Sequence, residues 1–242
     1  MSMIEIKNLK KSYGRVEAVK NLSLEIGAGE LFVLLEPNGA GKTTTLKILT
    51  GLLNPTSGTV LIDHIDRIKN PMEAKRHISF VPDVPYIYDK LSPLELLRFT
   101  GKLYNMDSKK IREKSEELLT FFTLWDVKDV FIEEFSHGMK QKAVLASALL
   151  HEPKALILDE PMVGLDPVSI KTFKDFMKKK TREGMTILFS THTLSTAEEL
   201  ADRIAIMNKG ELVALGTLKD LHKQFESHHN LEAMFMRLVT NP

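Results

Sequence analysis

The stretch Leu34–Thr45, reading LLEPNGAGKTTT, decides the fold of this chain. From Glu36 to Thr43 it meets the phosphate-binding pattern G-x-x-x-x-G-K-(S/T) everywhere but at its first position, where Glu36 replaces glycine. The apolar run Leu31–Leu35 before it predicts a buried strand, and Lys42–Leu49 after it reads as the start of a helix. In such a strand–loop–helix unit the loop N–H groups and the helix N-terminus converge on anionic oxygens. Lys42 adds a positive charge, and the Thr43 hydroxyl offers a ligand to Mg²⁺.

Working outward, residues 3–35 read as β-rich. Met3–Leu9, Ala18–Ile26 and Leu31–Leu35 are short apolar runs separated by Gly14 and by Gly27-Ala28-Gly29. The helix after the loop is expected to stop near Gly51, followed by strands at Thr59–Ile62 and Ile78–Val81. From Leu91 to about His151 the pattern turns helical. Ser92-Pro93 reads as an N-cap with a first-turn proline, a second helix is expected over Ser108–Phe122, and a third follows Ser136. Strand and helix then alternate: Ala155–Leu158, Val168–Arg182, Thr186–Ser190, Leu194–Ala201, Arg203–Met207 and Leu212–Leu215, before a helical tail. That order predicts an α/β ATP-binding core with a helical subdomain inserted at roughly 90–150 and a short tail at roughly 217–242.

The bulk composition narrows the function classes. The chain has 242 residues, 43% hydrophobic and 27% charged, which suits one large folded unit. Its 33 basic and 32 acidic residues leave a formal charge of +1, so no global field recruits nucleic acid or anionic lipid. With no cysteine there are neither disulfides nor thiolate metal sites, in keeping with a reducing compartment. The first residues, MSMIEIKNLK, lack the long apolar segment of a signal peptide. Leu31–Leu35 and Ala143–Leu150 fall far short of the roughly 18 residues of a membrane-spanning helix.

Two further strings carry chemistry. Ala155–Glu160, ALILDE, is an apolar strand that delivers two carboxylates at its C-terminal end, where an open α/β sheet places its ligand. Asp159 is suited to hold Mg²⁺ opposite Thr43, and Glu160 to polarise an attacking water as general base. Alone, the string is equally an acidic turn after a buried strand; the loop more than 100 residues upstream favours the chemical reading. Phe135–Lys142, FSHGMKQK, combines a serine hydroxyl, a glycine backbone and a helix N-terminus, a second anion-binding surface in which Ser136 also caps the helix.

Together these strings resemble the nucleotide-binding subunits of ATP-binding cassette (ABC) transporters over nearly the whole chain, most closely the exporter-type, ABC-2-like branch. The resemblance implies a P-loop NTPase core with an antiparallel β subdomain and an inserted α-helical subdomain. It implies a cytoplasmic ATPase lying against the membrane face, with membrane-spanning subunits and a second ATP-binding subunit as partners and no nucleic acid. Two such subunits would sandwich two ATP–Mg²⁺ between P-loop and signature segments. Asn38, Gly39, Ala40, Gly41, Lys42, Thr43 and Thr44 would bind phosphates and metal. Ser136 and Gly138 would grip the γ-phosphate held by the partner's P-loop, and Tyr13 would stack on adenine. Gly164-Leu165-Asp166-Pro167 looks like the D-loop that bridges the two sites. Ser190-Thr191-His192 looks like the switch segment, where a neutral His192 would spend one hydrogen bond on the γ-phosphate.

The chain departs from this pattern at two positions. A Glu36 carboxylate facing the phosphates at ~6 Å would cost roughly 3 kcal/mol at an effective dielectric of ~20, and far less if turned to solvent. Asp83 occupies the place of the Q-loop glutamine that senses metal and water in the family, with a shorter reach. Two other readings stand beside the transporter subunit: a soluble ABC ATPase acting on ribosomes or DNA, and a non-hydrolysing regulatory subunit. The chain has no second cassette or long heptad insertion, and it retains Lys42, Asp159, Glu160 and His192; both points favour the hydrolysing transporter subunit.

Overall fold

The computed structural model describes residues 1–242 apart from 36, 38–41, 85, 225–230 and 241–242, and for residues 42 and 240 only the backbone. Two sheets organise the chain. The first is antiparallel, built from β1 (Ser2–Tyr13), β2 (Val16–Gly27), β4 (Ser57–Ile62) and the short β5 (Ile65–Asp66), in the order β2-β1-β4-β5. The second contains β3 (Leu31–Leu35), β6 (Ile78–Val81), β7 (Ala155–Asp159), β8 (Thr186–Thr191), β9 (Arg203–Asn208) and β10 (Glu211–Gly216), in the order β10-β9-β3-β8-β7-β6. Every pairing in it is parallel except that of β10 with β9.

Strands covered on both faces need apolar residues without alternation, and all residues of β3, β7 and β8 are buried. The period of two then sorts them into two cores. Phe32, Leu34, Ile157, Leu188 and Ala205 face the antiparallel sheet and α1 (Lys42–Leu49). Leu31, Val33, Leu35, Leu156, Leu158 and Phe189 face the helices on the other side. α1 is thus held between the sheets, with Leu46, Ile48 and Leu49 fully buried.

The helices that the sequence places around residues 90–150 are α3 (Pro93–Leu103), α4 (Ser108–Phe121) and α5 (His137–Leu149). Ser92 caps α3 in a reciprocal capping box with Glu95, Asp107 caps α4 and Ser136 caps α5. The six-residue helix α2 (Pro71–Arg76) was not anticipated, being too short to show a helical period. Helix α6 (Pro167–Arg182) packs on the sheet, followed by α7 (Leu194–Leu200), and the tail carries α8 (Leu218–Gln224) and α9 (Leu231–Thr240). Among the described residues no helix is long and apolar enough to cross a membrane.

His151, just beyond α5, ties this helical unit to the sheet. Its Nε2 lies 3.4 Å from Ser79 Oγ on β6, and that hydroxyl donates to the Ala148 carbonyl at 2.5 Å. Tyr104 stacks on the imidazole with ring centroids 3.6 Å apart. Burial lowers the His151 pKa from 6.5 to about 4. Because the folded value lies below the unfolded one, the unfolded chain binds a proton in this window that the folded chain refuses. Stability is therefore complete above the unfolded value and is lost as pH falls from about 6.5 towards about 4. Denaturant titrations across that range should show this loss, and His151→Phe, which keeps the stack on Tyr104, should flatten the slope. Equal slopes in the two proteins would remove His151 as its source.

Arg67, after β5, is 2% exposed. Its Nη1 reaches Asn54 Oδ1 only at 3.5 Å, while Nε and Nη2 have no partner. A buried guanidinium with an unfilled fork weighs against the fold, and well-packed apolar replacements of buried charges commonly gain about 1–4 kcal/mol. Arg67→Met is expected to raise the unfolding midpoint. A lowered midpoint would show that guanidinium packing outweighs its desolvation.

Candidate functional site

The register of the parallel strands brings three strand ends to one edge. Leu35 of β3 pairs with Thr191 of β8, and Asp159 of β7 pairs with Ser190 of β8. The end of β3, the Asp159-Glu160 pair and Thr191-His192 therefore lie side by side, as an open parallel sheet places its ligand site. Glu36, Asn38, Gly39, Ala40 and Gly41 lie outside the described residues, and Lys42 opens α1 with its backbone alone described.

Asp159 is 4% exposed and both its oxygens are engaged. Oδ1 accepts from Ser190 Oγ at 2.5 Å, and Oδ2 accepts from Thr43 Oγ1 at 3.3 Å. The sequence pairs Thr43 with Asp159 across more than a hundred residues, and the fold makes that contact directly. Ser190 was read as part of the switch segment but given no task; its bond to Asp159 follows from the strand register, which no local pattern reports. Thr44 follows Thr43 on α1 and is half-buried.

Glu160 adopts φ +47, a left-handed conformation that costs a non-glycine residue on the order of 1 kcal/mol. Its N–H donates to the Ser190 carbonyl at 3.2 Å, which helps hold that turn. The side chain is largely enclosed. Oε2 accepts from Thr191 Oγ1 at 3.3 Å, and Oε1 stands 2.8 Å from Nδ1 of His192. His192 is the exposed member, at 63% against 13% for Glu160. Three consecutive residues of one strand end, Ser190, Thr191 and His192, thus hold the two carboxylates of its neighbour.

The remaining candidates stand apart from this cluster. Tyr13 ends β1, is 48% exposed and carries Lys11 Nζ over its ring at 5.0 Å. Asp83 is exposed beyond β6, whose Val81 pairs with Leu158, so it leaves the sheet at the same edge as Asp159. Ser136 is exposed at the start of α5 and accepts from Met139 N at 3.3 Å. Gly138 lies against the loop after Glu160, where a Cβ on it would fall 2.8 Å from the Gly164 carbonyl. Asp166 in that loop caps α6 by accepting from the N–H groups of Val168 and Ser169. Thr43 Oγ1 and Asp159 Oδ2 form an all-oxygen donor pair, the hard-ligand chemistry that suits Mg²⁺ when phosphates and waters complete its shell.

The family model described as "ABC transporter" matches residues 19–163. The ABC transporter ATP-binding protein YxlF of Bacillus subtilis is 42% identical over 226 residues, covering 93% of this chain and 75% of the relative. The lantibiotic transport ATP-binding protein SrtF of Streptococcus pyogenes is 35% identical over 233 residues, covering 96% of each chain. Among solved structures, an ATP-binding subunit of an ABC transporter superposes with a TM-score of 0.93 at 33% identity, covering 98% of this chain and 99% of that one. A dimeric post-hydrolysis state of an ATP-binding cassette bound to ADP and Pi superposes with a TM-score of 0.82 at 28% identity, covering 89% and 99%. A strand-ended carboxylate pair joined to a P-loop threonine, on a fold shared with nucleotide-bound cassettes, leaves one assignment: the chain belongs to the ABC transporter family, as an ATP-binding and ATP-hydrolysing subunit.

Proposed function

We propose that this subunit powers export by membrane-spanning partners, with the cluster at the ends of β3, β7 and β8 as its hydrolytic site. The observation that carries the reading is the hydrogen-bond set Thr43–Asp159–Ser190 and Thr191–Glu160–His192. In it, Lys42, Thr44 and the backbone of Asn38, Gly39, Ala40 and Gly41 hold the phosphates, and Thr43 with Asp159 holds Mg²⁺. The bound metal would neutralise phosphate charge as the terminal phosphoryl leaves. Glu160 orients and deprotonates the attacking water, and His192 reports the γ-phosphate through its ring. Asp83, on the same edge, adds a ligand to the metal or its water. Tyr13 stacks on adenine.

Ser136 and Gly138 face a second subunit's nucleotide rather than this one's, in keeping with the exposure of Ser136 at the start of α5. A dimeric cassette among the structural neighbours supports that arrangement. Export is supported by the FSHGMKQK string and by the lantibiotic transport relative. The location follows from the partner, with the subunit lying against the cytoplasmic face of the membrane.

The surface that fits such a partner is a groove of about 420 Å³ between β6 and the α3–α5 unit. Tyr86, Tyr88, Phe99, Leu103 and Tyr104 line it, Tyr86 fully and Leu103 65% exposed. Exposed aromatic and aliphatic side chains in one groove mark an interaction site.

Two experiments bear on these roles. Glu160→Gln should retain ATP binding, abolish multiple turnover and accumulate an ATP-bound dimer on size exclusion. Hydrolysis at the wild-type rate would remove Glu160 as the base. Tyr86→Glu should leave the ATPase rate of the isolated subunit within about twofold, while loss of one well-seated interface aromatic costs tenfold or more in membrane-subunit affinity. Undiminished co-purification with the membrane subunit would place the docking surface elsewhere.

A further inference from the structure

The loop that begins at Glu160 is packed against the first two turns of α5. The His137 ring lies on Gly164, where an added Cβ would fall 2.1 Å from its Cδ2, and Gly138 abuts the Gly164 carbonyl. Lys142 Nζ stands 3.8 Å from Asp166 Oδ2. Between these contacts, Gln141 is 1% exposed, with Nε2 3.5 Å from the Pro161 carbonyl and, among the described residues, no partner for Oε1. A buried amide that makes one long bond and leaves its oxygen unmatched is a poor device for holding a fold together. An apolar side chain of equal length would pack there without that cost.

Its place explains it better. The turn that begins at left-handed Glu160 is tied at two peptide groups, its own N–H and the carbonyl of the next residue. On one side its own N–H reaches Ser190 O at 3.2 Å; on the other, the Pro161 carbonyl meets the Gln141 amide. We propose that Gln141 is a positioning residue for Glu160, fixing the Pro161–Met162 peptide, one residue beyond the general base, to the helix that carries Ser136. A shift of α5 towards a second subunit's nucleotide would shorten the Nε2–Pro161 contact and set the base in line. Hydrolysis is thereby linked to engagement of the signature helix. The inference rests on the reading of Glu160 as the base.

The test uses the full chain carrying Gln141→Met, which keeps length and volume without the amide, and Gln141→Glu, which keeps length but loses the NH₂ donor. Misplacement of a catalytic group by about 1 Å costs about a hundredfold. Both variants should lose roughly ten- to a hundredfold in kcat, with KM for ATP and nucleotide affinity within about twofold of wild type and an unchanged or higher Tm. Added to Glu160→Gln, Gln141→Met should not lower residual turnover further or reduce the ATP-bound dimer. Turnover within twofold of wild type would overturn the proposal. So would a loss carried mainly in KM, a fully additive loss in the double variant, or failure of both variants to fold, which would make Gln141 a structural residue. If Glu160→Gln itself hydrolysed ATP normally, the assignment of the base would fall first, which separates the two readings.

Discussion

Everything chemical in this molecule depends on three fully buried strands ending level with one another. β3, β7 and β8 are covered on both faces, so a one-residue slip would push their apolar side chains into the wrong core. That constraint sets Asp159 opposite Ser190 and Leu35 opposite Thr191, and the two carboxylates then meet the hydroxyls within hydrogen-bonding range. Packing energy, spent on burying strands, fixes the positions of polar groups that could not hold themselves in place.

The same sheet separates two cores with different duties. The antiparallel sheet and α1 lie on one face; α3 to α7 and α9 lie on the other. Few polar contacts cross from the sheet into the helical unit. Among the described residues, Ser79 with Ala148 ties α5 to the sheet near one end, and Gln141 with Pro161 ties it to the loop after β7 near the other. A helix held to a rigid sheet mainly by apolar contact, with one polar tie near each end, is suited to pivot without losing its place.

Much of this was legible in the residues. The phosphate loop, the strand with its two carboxylates and the switch segment are local strings, and their chemistry could be read without coordinates. Capping at Ser92 and Ser136 was visible for the same reason, since a cap is a contact between residues three apart. What escaped depended on distant pairing. Ser190 acquires its role only from the register of β7 with β8. The unfilled Arg67 fork reflects burial within the fold, and α2 is shorter than the window over which a helical period shows. The positive φ of Glu160 was equally hidden, because nothing in the glutamate side chain asks for it.

His192 shows why those unseen contacts matter. An imidazole that donates through Nδ1 to a carboxylate is either neutral, with Nε2 only an acceptor, or a cation with two donors. Phosphate oxygens accept and never donate. His192 at 2.8 Å from Glu160 can therefore hold Glu160 and an ionised phosphate together only with a proton on each ring nitrogen. As a neutral ring it must leave one for the other. The exposed ring has room to swing, while Thr191 keeps its own hold on the second carboxylate oxygen. On the proposed roles, a ring that leaves Glu160 vacates the position from which that carboxylate oxygen can accept from the attacking water. The bond between His192 and Glu160 is thus, on the same roles, one for which a phosphate competes.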